Sequence, residues 1–154
     1  MPMNLGKLRL STCLVGVLLM GVEAAQACTC MAPRTAAEAL ERSSSVFSGR
    51  VTKISRPFLD TVGITRSGNH RVEFAIRKHW KGAQSKVAVV LTRLSGEACG
   101  FPFQEGQEYL VYVAPGPGGI ETGICTGTKS VAGAELEIEQ LDRLRQANGQ
   151  PKKE

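Results

Sequence analysis

Two cysteines flank Thr29, at Cys28 and Cys30, and this stretch holds more potential chemistry than any other in the chain. What it does depends on where the working protein begins. Ala25, Gln26 and Ala27 stand before Cys28 in the small-x-small order after which a signal peptidase cuts. A cut there makes Cys28 the first residue, with a free α-amine beside its own carbonyl. That nitrogen and oxygen can close a five-membered chelate on a metal ion. The amine must be neutral to bind, and an α-amino group titrates at about 7.7 to 8.0, so chelation releases a proton and weakens as pH falls.

Two other readings use the same residues. A Cys-x-Cys metal site needs further ligands, and His70 and His79 lie in or beside a strand-like run without ligand spacing to any cysteine. A lipoprotein acceptor cysteine would be lipidated on sulfur and acylated on the amine, which forbids both bridge and chelate. Ala25 stands where leucine is usual in such a signal, and membrane attachment is expected only if Cys28 is lipidated.

Upstream, Lys7 and Arg9 are followed by an apolar run of about 13 residues, short of the roughly 20 that a spanning helix needs. Residues 1–27 are therefore expected to be a secretory signal, and the protein to be secreted or periplasmic. Of the five cysteines, Cys13 departs with the signal; Cys28, Cys30, Cys99 and Cys125 remain. An even number in an oxidising compartment implies two disulfides. Joining Cys28 to Cys30 would strain a tiny ring, so each is expected to tie to one of Cys99 and Cys125, in either combination. Removing Lys7, Arg9 and Glu23 takes the net charge from +5 to +4, a mildly basic surface compatible with anionic partners.

The remaining chain, about 127 residues, suits one domain with one core, expected over residues 28–147 with a flexible tail at 148–154. Thr35 to Glu38 spells a capping box that opens a short helix from Ala36 to about Arg42. Alternation predicts strands over residues 46–54, with a bulge-prone Gly49, and over residues 71–78, with Val72, Phe74 and Ile76 on one face. Residues 86–94 read as a strand buried on both sides, residues 108–113 as another, and residues 120–124 as a short one delivering Cys125. Residues 57–69 read mainly as a connector, with an extended edge as the alternative. From about Ser130 to Gln146 the period becomes helical, with Val131, Ala134, Ile138, Leu141 and Leu144 in one stripe. Trp80 and the histidines read as core or rim residues.

Five unevenly connected strands, a leading helix and a closing helix make the fold mainly β: a small barrel of the oligonucleotide/oligosaccharide-binding (OB) type, with a β-sandwich as the alternative. The composition disfavours several functions. Export and a shortage of aromatics for base stacking argue against nucleic acid. No free cysteine, serine elbow or spaced carboxylate pair marks an enzyme, and no cofactor is implied.

Taken together, Cys28-Thr29-Cys30, the Val46-Phe47-x-Gly49-x-Val51 strand, Trp80-Lys81-Gly82, Cys99-Gly100, Gly106-x-x-Tyr109-Leu110-Val111 and the late Cys125 resemble the tissue inhibitor of metalloproteinases family. More broadly they resemble a netrin-like module, here a single-domain, bacterial relative. The chain lacks the cysteines for the third bridge and the second domain of the animal inhibitors, and its segment from Met31 to Thr35 differs from theirs. The resemblance implies an OB-type, netrin-like barrel and disulfides pairing Cys28 with Cys99 and Cys30 with Cys125. It implies a monomer that inhibits zinc metalloproteinases, inserting its N-terminus into the protease cleft. Cys28 would bind the target's zinc through its main-chain N and O, Thr29 would enter the first specificity pocket, and Met31, Ala32 and Pro33 would lie along the cleft. The alternative function is a netrin-like module that binds a protein or an anionic glycan without inhibiting.

Overall fold

The computed structural model describes residues 30–56, 69–93, 99–116 and 119–149. The expected signal and Cys28 and Thr29 lie outside these residues, as do most of the 57–69 connector and residues 150–154. The first element is helix α1, Ala36–Arg42. Its N-cap is Thr35, whose hydroxyl accepts the Glu38 amide at 3.2 Å. The return half of the expected capping box shifts by one residue, because the Glu38 carboxylate accepts from the Arg34 N–H at 2.9 Å. At the other end Lys81 Nζ donates to the Leu40 and Glu41 carbonyls, a cation on the negative end of the helix.

Six strands form one sheet: β1 (Ser45–Ser55), β2 (Asn69–Lys81), β3 (Val87–Arg93), β4 (Glu108–Gly116), β5 (Gly119–Glu121) and β6 (Lys129–Ser130). Pairing runs β1–β2–β3–β5–β4, and β4 returns to β1, so the five pairings close a circuit. Every pair is antiparallel except β3 with β5, joined at Leu91 and Glu121. Strand β1 serves two neighbours by bending, with register shifts at three places along β2. One adjoins Gly49, where a Cβ would press on the Ala75 carbonyl oxygen at 2.9 Å. The bulge-prone glycine of the sequence is thus a glycine that the close approach of β2 requires.

Two apolar clusters share the sheet. Phe47, Val51, Val72, Phe74, Val90, Phe103, Tyr109, Val111 and Val113 form one. Val46, Leu110 and Tyr112 point the other way and meet Ala36, Ala39, Ala134 and Leu141 of the helical layer. The strand buried on both faces is therefore β4, whereas residues 86–94 were expected to hold that place. In β3 only Val90 and Thr92 are buried, and Val87 is 57% exposed. The reason is the location of the helices, which cover β4 and one end of β2.

The closing helix, α2, spans Glu135–Gly149 and so starts later than the expected Ser130 and includes the first two residues of the expected tail. Residues 129 and 130 pair with Tyr109 and Leu110 as β6, and the Val131 N–H donates to the Glu108 carbonyl at 3.0 Å. Polar contacts fix α2 in place. Trp80 Nε1 donates to Asp142 at 2.7 Å, Lys78 pairs with the same carboxylate, and Arg145 donates to the His79 carbonyl at 2.9 Å. Burial opposes ionisation of Asp142, but Lys78 and the Trp80 N–H outweigh it and hold the carboxyl below its usual range. The buried Tyr112 hydroxyl donates to Glu137 at 2.6 Å, and Lys129 pairs with the other oxygen of that carboxylate. No helix among the described residues is long and apolar enough to cross a membrane.

Candidate functional site

Cys30 and Cys125 form a disulfide across 95 residues of chain, with their α-carbons 5.5 Å apart. This is one of the two expected bridges. Cys125 sits in a 3-10 turn, Ile124–Thr126, where the sequence predicted the end of a strand. Three threonines build that turn. Thr122 Oγ1 donates to the Tyr112 carbonyl at 2.8 Å, Thr126 Oγ1 donates to the Gly123 carbonyl at 2.8 Å, and Thr128 Oγ1 accepts the Tyr112 N–H at 2.9 Å. The hydroxyls of Thr122 and Thr128 also bond to each other at 2.7 Å. Gly127, in the left-handed region at φ 94°, ends the turn.

The turn rests on a second loop that carries Cys99. Ile124 N–H donates to the Cys99 carbonyl at 3.1 Å. A side chain at Gly123 would overlap that carbonyl, and one at Gly100 would overlap the carbonyl of Arg93 at the end of β3. Phe101 N–H donates to Thr92 Oγ1 at 2.8 Å, which fastens the far side of the loop to β3. Cys99 is disulfide-bonded as well. Its expected partner, Cys28, and the adjacent Thr29 lie outside the described residues. A shallow groove of about 190 Å³ runs beside the turn, with Cys99, Cys125, Pro115 and Glu121 among its lining residues.

From the bridge the chain continues through Met31, Ala32 and Pro33, all three expected to be site residues. Met31 is 82% exposed, Ala32 is exposed, and Pro33 is half-buried. Their backbone is nonetheless anchored. The Met31 carbonyl accepts from Arg42 at 3.4 Å, and Pro33 lies over Gly127, where a Cβ would meet its ring at 3.2 Å. Just beyond, the Arg34 N–H is held by Glu38. The segment is thus clamped by sulfur at one end and by a helix cap at the other, with side chains turned to solvent between them.

The remaining candidates have structural roles. His79 is buried against Phe47, with Nε2 2.7 Å from the Ser85 carbonyl oxygen. Trp80 is a hydrogen-bond donor to α2. Among the described residues no group of three or more His, Cys, Asp or Glu side chains is placed to hold a metal ion. What sequence reasoning missed is the set that positions Cys125: Thr122, Gly123, Thr126, Gly127 and Thr128. The visible signal was the alternation of threonine and glycine on both sides of the cysteine. No protein-family model matches the chain, and no curated protein is significantly similar to it.

Proposed function

We propose that the protein is a secreted or periplasmic inhibitor of zinc metalloproteinases, built on an OB-type, netrin-like barrel. The closed circuit of strand pairings supports the barrel. A disulfide supports an oxidising compartment. The observation that carries the functional reading is the Cys30–Cys125 bridge, which fixes the chain two residues after Cys28 and leaves Met31 exposed. With Cys30 and Cys125 joined to each other, Cys28 is the cysteine left for Cys99 once the signal is cut. Two bridges would then hold the terminus stiffly, which lowers the ordering cost of inserting it into a cleft.

The chemistry follows from the metal in the target. A catalytic zinc held by three protein ligands keeps a fourth position for water. The Cys28 amine and carbonyl oxygen take that position together and displace the water that would attack a peptide bond. Thr29 enters the first specificity pocket, and Met31, Ala32 and Pro33 follow along the cleft. Chelation needs the neutral amine, so inhibition weakens as pH falls through about 7.7 to 8.0 and the amine protonates.

Intact mass and N-terminal sequencing of the exported protein establish whether Cys28 is first and unmodified. Acetylating Cys28, or placing one residue ahead of it, is expected to abolish inhibition of a zinc metalloproteinase while the melting temperature stays unchanged. Undiminished inhibition by the blocked form refutes chelation. Binding that ignores the block and weakens steeply with salt would identify a non-inhibitory binding module instead.

A further inference from the structure

We propose that the notch between residues 33–36 and the first turns of α2 is a second docking point for the same protease, taking an acidic side chain with an apolar neighbour. This rests on the inhibitor reading above. The notch encloses about 250 Å³, and its lining includes Pro33, Arg34, Leu136, Glu137 and Gln140. Leu136 is 75% exposed and lies off the core-facing residues of its helix, Ile138 and Leu141. A lone exposed leucine is ordinary. This one shares a concavity with Pro33, two residues along the chain from Met31, itself 82% exposed. Pro33 and Leu136 thus give an apolar rim to a depression otherwise lined mainly by polar residues, Arg34, Thr35, Lys129 and Gln140 among them.

Charge selects the occupant. Among the described residues the Arg34 guanidinium makes no ion pair or hydrogen bond, and only the backbone N–H of Arg34 is engaged. The neighbouring acids are occupied elsewhere. Glu38 holds Arg42 at 2.5 Å, Glu137 serves Tyr112 and Lys129, and both oxygens of Glu135 face the Gly133 N–H at 3.0 and 3.1 Å. Arg34 is therefore the open donor of the notch, and its planar fork matches a carboxylate. Continuity selects the source. The chain leaves the bridge at Cys30 and enters the notch at Pro33, so a protein lying along residues 30–32 reaches the notch at the end of that edge.

The test compares the wild-type protein with Arg34→Glu and Leu136→Ser, using a panel of zinc metalloproteinase catalytic domains and a fluorogenic peptide. Both positions are exposed, and a thermal melt checks that folding is intact. The expected result is inhibition weakened about tenfold by each substitution, with a shallower salt dependence in Arg34→Glu than in the wild type. Wild-type inhibition matched by either variant overturns the notch and leaves the inhibitor reading standing. Absence of inhibition by the wild type overturns both. A monomer–dimer equilibrium that Leu136→Ser abolishes would assign the surface to a second copy of the chain and overturn the proposal.

Discussion

Replacing Cys30 and Cys125 together by serine tests the link between bridge, stability and site. The bridge spans 95 residues. As the sole cross-link, a loop of that size contributes about 4.7 kcal/mol in the chain-entropy model. Cys99 is bonded too, and if its partner is Cys28 the Cys30–Cys125 bridge closes a shorter circuit. That circuit runs back from Cys30 to Cys28, across the other bridge, and on from Cys99 to Cys125. It holds about 30 residues and contributes about 3.6 kcal/mol in the same model. With an unfolding entropy of about 2.1 cal/mol/K per residue over about 127 residues, the double variant melts roughly 13 °C lower. Scanning calorimetry and urea titration give the value, and intact mass confirms that the other bridge remains. A loss below about 1.5 kcal/mol refutes the reasoning, since the unfolded chain would not be constrained by its cross-links as supposed. The same variant releases the segment ahead of Pro33 and is expected to inhibit weakly.

Tyr112→Phe removes a buried hydroxyl bonded to a carboxylate and is expected to cost about 1.5 to 3 kcal/mol by urea unfolding at pH 7. Burial first, and Glu137 second, push the Tyr112 phenol far above its ordinary value of 10.0. The folded state then keeps a proton that the unfolded chain releases above about pH 10, so the Tyr112 contribution is whole below that pH. It falls by about 1.4 kcal/mol per unit above it. The stability gap between wild type and Tyr112→Phe should therefore narrow from pH 10 upward, and a constant gap would contradict the assignment. Gly100→Ala places a methyl on the Arg93 carbonyl and is expected to destabilise by about 1 to 3 kcal/mol in urea unfolding.

The parts of the fold with a clear period were legible. Strand β2 alternates with Val72 and Phe74 inward, and α1 starts at the Thr35 cap. Period alone misplaced the doubly buried strand. Residues 86–94 and 108–113 are both strongly apolar runs, and which one lies beneath the helices depends on tertiary placement. The start of α2 failed for a related reason. Val131 and Ala134 fit a helical stripe, yet residues 129 and 130 pair with β4 as a strand and the Val131 N–H bonds to the Glu108 carbonyl. A two-residue strand is too short to show a period, and its partner is distant in sequence.

The site divides along a similar line. Cysteine count restricted the bridges, but spacing left two pairings open, and resemblance to a family chose between them. The pairing of Cys30 with Cys125 is met by a turn that hydroxyl and backbone hydrogen bonds also hold. Thr122, Thr126 and Thr128 bond to one another and to the Tyr112 backbone, while Gly123 and Gly100 let the Cys99 loop pack without a side chain between. These contacts join loops far apart in sequence, so no local period announces them. They also imply an order of dependence. The Ile124 to Cys99 hydrogen bond and the threonine cluster need no disulfide, so the apposition of the two loops should survive the double serine variant. Amide exchange is the discriminating probe: protection at Ile124 is expected to persist in that variant, whereas loss of protection there would make the bridge the cause of the turn instead of its consequence.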